Sequence, residues 1–228
     1  MTGSLYRAFG YFGIASVFGS MLYGFRYDQA AAVTNVFWVV GVFFLWAALH
    51  LAMTRSWFKR AVYGSESSLF GRRVYIIVSV AAWLALIWWH PAVPGPSVHL
   101  PEAVRFAGCA GFVLSVLAFF EGMTFGMLDG LLAVPGATMT HSHGAETPLL
   151  TEGRYARVRH PMYRAALLAA LCSLLLHPNG AQVLWCTMIG ATFVGFIPIE
   201  ERQLLGARGD AYFTYTQVTR WRLIRGLW

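Results

Sequence analysis

Uncharged apolar runs dominate the chain, and basic residues separate one run from the next. The first run, Ala8–Phe25, holds eighteen residues between two arginines, and the second, Ala30–Thr54, ends at Arg55. Eighteen residues of helix span about 27 Å, which is close to the hydrocarbon thickness of a bilayer. Later runs cover Val74–His90, Leu167–Leu176 and Ala181–Ile199, and also Val104–Phe120, which contains the single charged residue Arg105. This pattern predicts an all-α integral membrane protein with five or six transmembrane helices.

The last two runs predict a tight helical hairpin. The turn-forming residues His177, Pro178, Asn179 and Gly180 separate them. The first arm is short, so we place its start at Pro161, because proline is favoured at the first position of a helix. We divide the chain into an N-terminal transmembrane region, residues 1–135, and a region of residues 136–228 that holds the hairpin and cytosolic segments.

Composition and charge support a membrane protein and give no reason to expect a nucleic-acid partner. Hydrophobic residues make up 57% of the 228 residues and charged residues only 12%, whereas soluble domains carry about 25% charged residues. The net charge is +7, but the basic residues lie between apolar runs, where topology signals belong. The expected surroundings are therefore membrane lipid. The cysteines all lie inside apolar runs, so we predict neither a disulfide framework nor a zinc site.

The distribution of basic residues predicts an orientation. Five arginines and lysines lie in residues 55–73, four in residues 136–164 and five in residues 200–228, out of seventeen in the chain. Cytoplasmic loops carry an excess of such residues. If the helices cross alternately, these segments share one face of the membrane, and both termini are predicted to be cytosolic.

The stretch Leu150–Tyr163 concentrates polar chemistry beside the predicted start of the hairpin. It has the sequence L-T-E-G-R-Y-A-R-V-R-H-P-M-Y, so Arg159 and His160 directly precede Pro161. The first turn of a helix presents unpaired N–H groups and a partial positive charge. With the arginine and histidine added, the pattern predicts a small site for a carboxylate or a phosphate at the membrane boundary.

Two acidic residues follow the second arm of the hairpin. Hairpin geometry returns Glu200 and Glu201 to the boundary that holds Arg159 and His160, so opposite charges are expected to meet there. The alternative is a solvated helix end just after Pro198.

Other polar residues are weaker candidates. Glu121 and Asp129 share a helical stripe beside the glycines 122, 126 and 130, and they form either a substrate pocket in the membrane or an emerging helix end. His141 and His143 form an H-x-H pair, but a metal needs three or four ligands, and we predict no metal site. His50 is either a satisfied polar residue or a haem ligand.

The motifs of the last third resemble a known family. The stretch Leu150–Tyr163, the hairpin, E-E-R-Q-L-L and G-D-A-Y-F-T-Y are together similar to the isoprenylcysteine carboxyl methyltransferase and phospholipid methyltransferase superfamily over residues 150–222. The resemblance implies S-adenosylmethionine as methyl donor. We predict catalytic roles for Arg159 and Glu201. The cofactor-binding residues that the resemblance implies are Tyr155, His160, Pro161, Tyr163, Glu200 and Glu201.

The N-terminal half leaves the branch of the family open. A-L-H-L-A-M-T-R-S-W-F-K-R and R-R-V-Y resemble the NnrU and methanethiol S-methyltransferase branch. Three positions depart from the family pattern: Arg164 where a glycine often follows the tyrosine, Arg208 where an aromatic residue is usual, and Leu51 where a serine is frequent. A small or lipophilic thiol is the leading acceptor, followed by a prenylcysteine carboxylate or a phospholipid amine. An NnrU-type haem protein that uses His50, and a structural membrane subunit, are the alternatives of other classes.

The chemistry that the resemblance implies suits these residues. Methyl transfer is an in-line displacement that needs no metal, provided donor and acceptor are held about 3–3.5 Å apart and water is excluded. The carboxylate of the donor suits Arg159, His160 and the helix start, and its ammonium suits a glutamate. A thiol acceptor must first lose its proton.

Overall fold

The chain folds as a set of helices, as the apolar pattern predicts. A computed structural model describes residues 3–65, 68–122 and 149–228. Within these residues the helices are α1 (Gly3–Tyr23), α2 (Thr34–Met53), α3 (Ser56–Tyr63), α4 (Leu69–Trp89), α5 (Glu102–Glu121), α6 (Pro161–Leu176), α7 (Gly180–Arg208) and α8 (Asp210–Val218).

Four of these helices, α2, α4, α5 and α7, are long and apolar enough to cross a membrane. Ala8–Tyr23 in α1 and the whole of α6 are shorter apolar helices. This architecture confirms the predicted all-α fold class, and it is compatible with a multi-pass membrane protein. The predicted boundary between residues 135 and 136 lies outside the described residues.

Several elements differ from the sequence pattern. The basic segment 55–73 holds the short helix α3 and the start of α4. The Ser68 hydroxyl accepts a hydrogen bond from the Gly71 N–H at 3.0 Å and so caps α4 before its first apolar turn. Helix α7 continues through Pro198 to Arg208, and α8 follows where the sequence pattern predicts no element.

The described residues form two compact units. The first combines the described residues up to Leu100 with His177–Met188, and the second combines the described residues between Pro101 and Leu176 with Ile189–Trp228. The first nine residues of α7 therefore belong to the first unit, and its remainder belongs to the second.

Backbone hydrogen bonds join three interhelical connections within the first unit. The Val93 N–H donates to the Arg26 carbonyl at 2.8 Å, the Val98 N–H to Pro178 at 2.9 Å and the Gly180 N–H to Pro96 at 2.8 Å. The connections after α1, after α4 and before α7 thus meet at one end of the unit. If the helices cross the membrane alternately, these three connections must lie on the same side of it. Which side that is stays a prediction.

Glycines bring α5 and α6 close together in the second unit. A Cβ atom on Gly108 would lie 2.7 Å from the Leu175 Cβ, and one on Gly111 would lie 2.7 Å from the Cys172 Sγ. Helices that pack in a membrane use small residues in this way, because close backbones gain van der Waals contact. The start of α6 is consequently fixed beside the end of α5, where the candidate site lies.

Candidate functional site

The segment before α6 is attached to the C-terminal tail. Helix α6 begins at Pro161, as the sequence predicts. Just before it, the Arg159 N–H donates to the Trp221 carbonyl at 2.8 Å, and the His160 N–H donates to the Arg222 carbonyl at 2.9 Å. These two bonds hold the side chains of Arg159 and His160 against α7.

Glu201 is the centre of a charged cluster. Its Oε1 accepts from Arg159 Nε at 2.7 Å and lies 3.2 Å from His160 Nε2. Its Oε2 accepts from both Nε and Nη2 of Arg222. Charge-assisted bonds of this kind are about twice as strong as neutral ones. Since both oxygens are occupied, the carboxylate of Glu201 is committed to protein partners.

Arg159 extends this cluster to the end of α8. Its Nη1 donates to the Thr219 carbonyl at 3.0 Å and to the Arg220 carbonyl at 2.8 Å. The side chain therefore joins α7 to the residues that follow α8, and only 10% of it is exposed. Arg159 and Glu201, the two residues predicted to be catalytic, form one internal ion pair.

Glu200 differs from its neighbour. Its Oε2 lies 3.7 Å from His160 Nδ1, which is beyond hydrogen-bond distance. This oxygen is buried, and within the described residues it accepts no hydrogen bond. Buried polar atoms without a partner are uncommon, because desolvation costs free energy that no contact returns. An unsatisfied carboxylate oxygen beside an imidazole is the arrangement expected where a cationic group binds.

The imidazole beside this open carboxylate belongs to an aromatic cluster. The His160 and Tyr163 rings stack with centroids 5.5 Å apart and an interplanar angle of 16°, and Tyr163 contacts Phe193. Burial raises the pKa of Tyr155 to about 12, and the negative charge of Glu200 adds to the effect. The Tyr155 hydroxyl is therefore neutral at physiological pH, and it donates a long hydrogen bond to the Gly122 carbonyl at 3.5 Å.

A cleft of about 480 Å³ lies between α7 and α8. Arg159, Glu201 and Arg222 line its inner side, and Arg202 and Arg220 also face it. Sequence reasoning did not single out Arg222 or the α8 residue Tyr212, which lines the same cleft. The signal that could have pointed to Arg222 was the distribution of charge. Every arginine of the C-terminal tail is a candidate partner for Glu201, and not only those that precede α6.

The weaker candidates of the sequence fall elsewhere. Glu121 ends α5 with 65% of its side chain exposed, and it pairs with Arg154. Asp129, His141 and His143 lie outside the described residues. Both ring nitrogens of His50 are engaged, Nδ1 with Ser79 Oγ at 3.0 Å and Nε2 with the Tyr75 hydroxyl at 2.8 Å. His50 is thus a satisfied polar residue in the described structure.

Comparison with known proteins adds no relative to these observations. No family model, curated protein or solved structure matches this chain. The side chains around Glu200 and Glu201 are therefore the basis on which a function is proposed.

Proposed function

We propose that this chain is an integral-membrane methyltransferase that uses S-adenosylmethionine, with a small or lipophilic thiol as its leading acceptor. One observation carries the proposal, namely the buried Glu200 oxygen that accepts no hydrogen bond within the described residues and lies 3.7 Å from the His160 ring, on which Tyr163 stacks. The resemblance of residues 150–222 to a methyltransferase superfamily points to the same group.

The charges of the site fit this donor. S-adenosylmethionine supplies a methyl group on a sulfonium, and it also carries an ammonium and a carboxylate. Glu201 is neutralised by Arg159 and Arg222, so Glu200 is the carboxylate that remains for a cation. His160 and the N–H groups in the first turn of α6 suit the donor's carboxylate.

The remaining residues divide into binding and positioning roles. Tyr155, His160, Pro161, Tyr163 and Glu200 form the proposed cofactor surface. Arg159 and Glu201 act through them, because the ion pair fixes where His160 and the tail lie. Tyr155 stays protonated, so it orients a ligand and does not act as a base.

A titration with S-adenosylhomocysteine in detergent tests this proposal. The wild-type protein is expected to bind, and Glu200→Gln is expected to lower the affinity about ten- to hundredfold, because a charge-assisted contact contributes about 1.5–3 kcal/mol. Glu152→Gln is the matched control, since Glu152 is exposed and its carboxylate forms no ion pair in the described residues. Absence of binding by the wild-type protein, or full affinity in Glu200→Gln, would contradict the assignment.

A second measurement identifies the acceptor class. Transfer of a labelled methyl group is measured to a small alkyl thiol, to farnesylcysteine and to phosphatidylethanolamine in parallel. Labelling of the thiol alone is expected, and labelling of either other acceptor moves the assignment to that branch. No specific observation favours the haem alternative, because His50 presents no open ring nitrogen.

A further inference from the structure

We propose that the cleft between α7 and α8 binds the phosphate group of an anionic membrane lipid. This inference does not depend on the proposed methyl transfer. Four arginines and one glutamate line the cleft, namely Arg159, Arg202, Arg220, Arg222 and Glu201. Since Glu201 is the one carboxylate that pairs with both Arg159 and Arg222, the lining keeps a net positive charge, to which Arg202 and Arg220 contribute.

Arg202 and Arg220 are each held by one hydrogen bond from Nε, and their terminal nitrogens remain available to a ligand. Arg202 Nε donates to the Pro198 carbonyl at 3.1 Å, and Arg220 Nε donates to the Gln217 carbonyl at 3.4 Å. Neither forms an ion pair within the described residues, so the terminal nitrogens of both guanidinium groups are available. Planar guanidinium groups suit phosphate oxygens, because they donate parallel hydrogen bonds.

Tyr212 is a second, independent indication of a ligand. Only 3% of this residue is exposed, and its hydroxyl has no hydrogen-bond partner in the described part of the chain. It lines the same cleft. Burial raises the pKa of Tyr212, so the hydroxyl remains a donor, which a phosphate oxygen can satisfy.

The surroundings favour a lipid over a free phosphate ester. Leu205 and Phe213 line the cleft beside the arginines with 47% and 55% of their surfaces exposed. Helix α7 is apolar enough to span a membrane; Leu205 lies near its C-terminal end, and Phe213 lies in α8. An apolar rim around a basic centre at the end of a span fits a headgroup with acyl chains.

The cleft is separate from the Glu200 surface. The α7 residues that line it, Pro198, Glu201, Arg202 and Leu205, recur at spacings of three and four and so share one helical face. Glu200 is offset from Glu201 by about 100° around the helix, and it does not line the cleft. Loss of lipid binding and loss of cofactor binding are therefore expected from different substitutions.

Calorimetric titration of the full chain in delipidated detergent tests the proposal with three probes. Dihexanoylphosphatidylglycerol carries both phosphate and chains, glycerol 3-phosphate carries phosphate alone, and dihexanoylglycerol carries chains alone. Only the first is expected to bind tightly. The double variant R202Q/R220Q is expected to bind it about ten- to hundredfold more weakly, whereas R157Q/R225Q, which removes the same charge outside the cleft, is expected to keep the wild-type affinity.

The outcomes separate the possible ligands. Equal affinity for glycerol 3-phosphate overturns the lipid assignment and leaves a site for a soluble phosphate ester. Equal affinity for dihexanoylglycerol, or an unchanged affinity in R202Q/R220Q, overturns the proposal. S-adenosylhomocysteine titrated into the same samples is expected to bind R202Q/R220Q as tightly as wild type. If R202Q/R220Q also loses S-adenosylhomocysteine binding, the separate lipid site is overturned and the cleft is assigned to the cofactor. If the wild-type protein itself does not bind S-adenosylhomocysteine, the proposed methyl transfer is contradicted and the lipid result stands.

Discussion

Glu201 accepts two hydrogen bonds from Arg222 at the same oxygen, Oε2, at 2.9 Å from Nε and 2.7 Å from Nη2. Its other oxygen accepts from Arg159. One carboxylate with 12% of its side chain exposed therefore pairs with two guanidinium groups. This relationship joins α7 to the segment before α6 and to the C-terminal tail.

Glu201→Gln is expected to destabilise the protein by about 3 kcal/mol, because removing one member of a buried charge cluster leaves the others unpaired. Thermal unfolding in detergent measures the change, with Glu200→Gln as the adjacent control that keeps the cluster intact. A midpoint for Glu201→Gln equal to that of Glu200→Gln would show that the cluster contributes little to stability.

Arg159→Lys is expected to loosen the tail while leaving the helices folded. A lysine keeps the charge but cannot bond Glu201 and the carbonyls of Thr219 and Arg220 together, as the guanidinium does. Hydrogen exchange is the measurement, and the amide of His160, which donates to Arg222, should exchange faster. Arg157→Lys is the control on an exposed neighbour, and equal protection in both variants would contradict this role.

Much of the fold follows from the sequence because the membrane leaves few choices. A backbone in hydrocarbon must satisfy its own hydrogen bonds, so an uncharged run of about twenty residues becomes a helix. Pro161 marks the start of α6 for a local reason, since proline lacks the N–H that a first helical residue does not use. In both cases the residues that determine a helix lie within that helix or at its start.

The partners of the site residues were not predictable in the same way. The pattern of Arg159, His160 and the two glutamates predicts that opposite charges meet, but it treats Glu200 and Glu201 alike. Their difference depends on Arg222, which lies 21 residues beyond Glu201 and follows a helix that the apolar pattern does not predict. Side-chain direction around α7 decides which carboxylate is bound and which is open.

Removal of the hydroxyl group is expected to change the free energy of unfolding differently at two tyrosines of α8. The Tyr215 hydroxyl donates to the Tyr155 carbonyl at 2.8 Å, so Tyr215→Phe should cost about 1 kcal/mol. The Tyr212 hydroxyl is buried without a partner in the described residues, so in delipidated detergent Tyr212→Phe should be neutral or stabilising by about 1 kcal/mol. Unfolding midpoints of both variants, measured side by side, check the prediction. A larger loss in Tyr212→Phe would show that its hydroxyl is bonded.

Both termini are predicted to face the cytosol, from the basic residues of the segments 55–73, 136–164 and 200–228. Single cysteines at Thr2 and Trp228, in a background without the three native cysteines, should resist an impermeant maleimide in intact cells. His99→Cys is the positive control, because the exposed residue His99 lies in the connection that follows α4. Labelling at a terminus, with no labelling at position 99, would reverse the orientation.

The stability of the protein is expected to fall between pH 10 and pH 12. Burial raises the pKa of Tyr155 and of Tyr215 to about 12, whereas a tyrosine in the unfolded chain ionises near pH 10. The stabilisation that these two tyrosines contribute is therefore fully present below pH 10. Above pH 10 the unfolded state binds fewer protons than the folded state, so the free energy of unfolding decreases as pH rises towards 12.

Unfolding midpoints from pH 9 to pH 12 measure this dependence. Other groups also titrate in this range, so the decisive quantity is the difference between variants. Tyr155→Phe/Tyr215→Phe should show a shallower fall than wild type, because neither phenylalanine can ionise. Tyr23→Phe is the control, since 78% of Tyr23 is exposed, and it should keep the wild-type slope. Equal slopes in all three proteins would mean that neither tyrosine is held neutral by the fold.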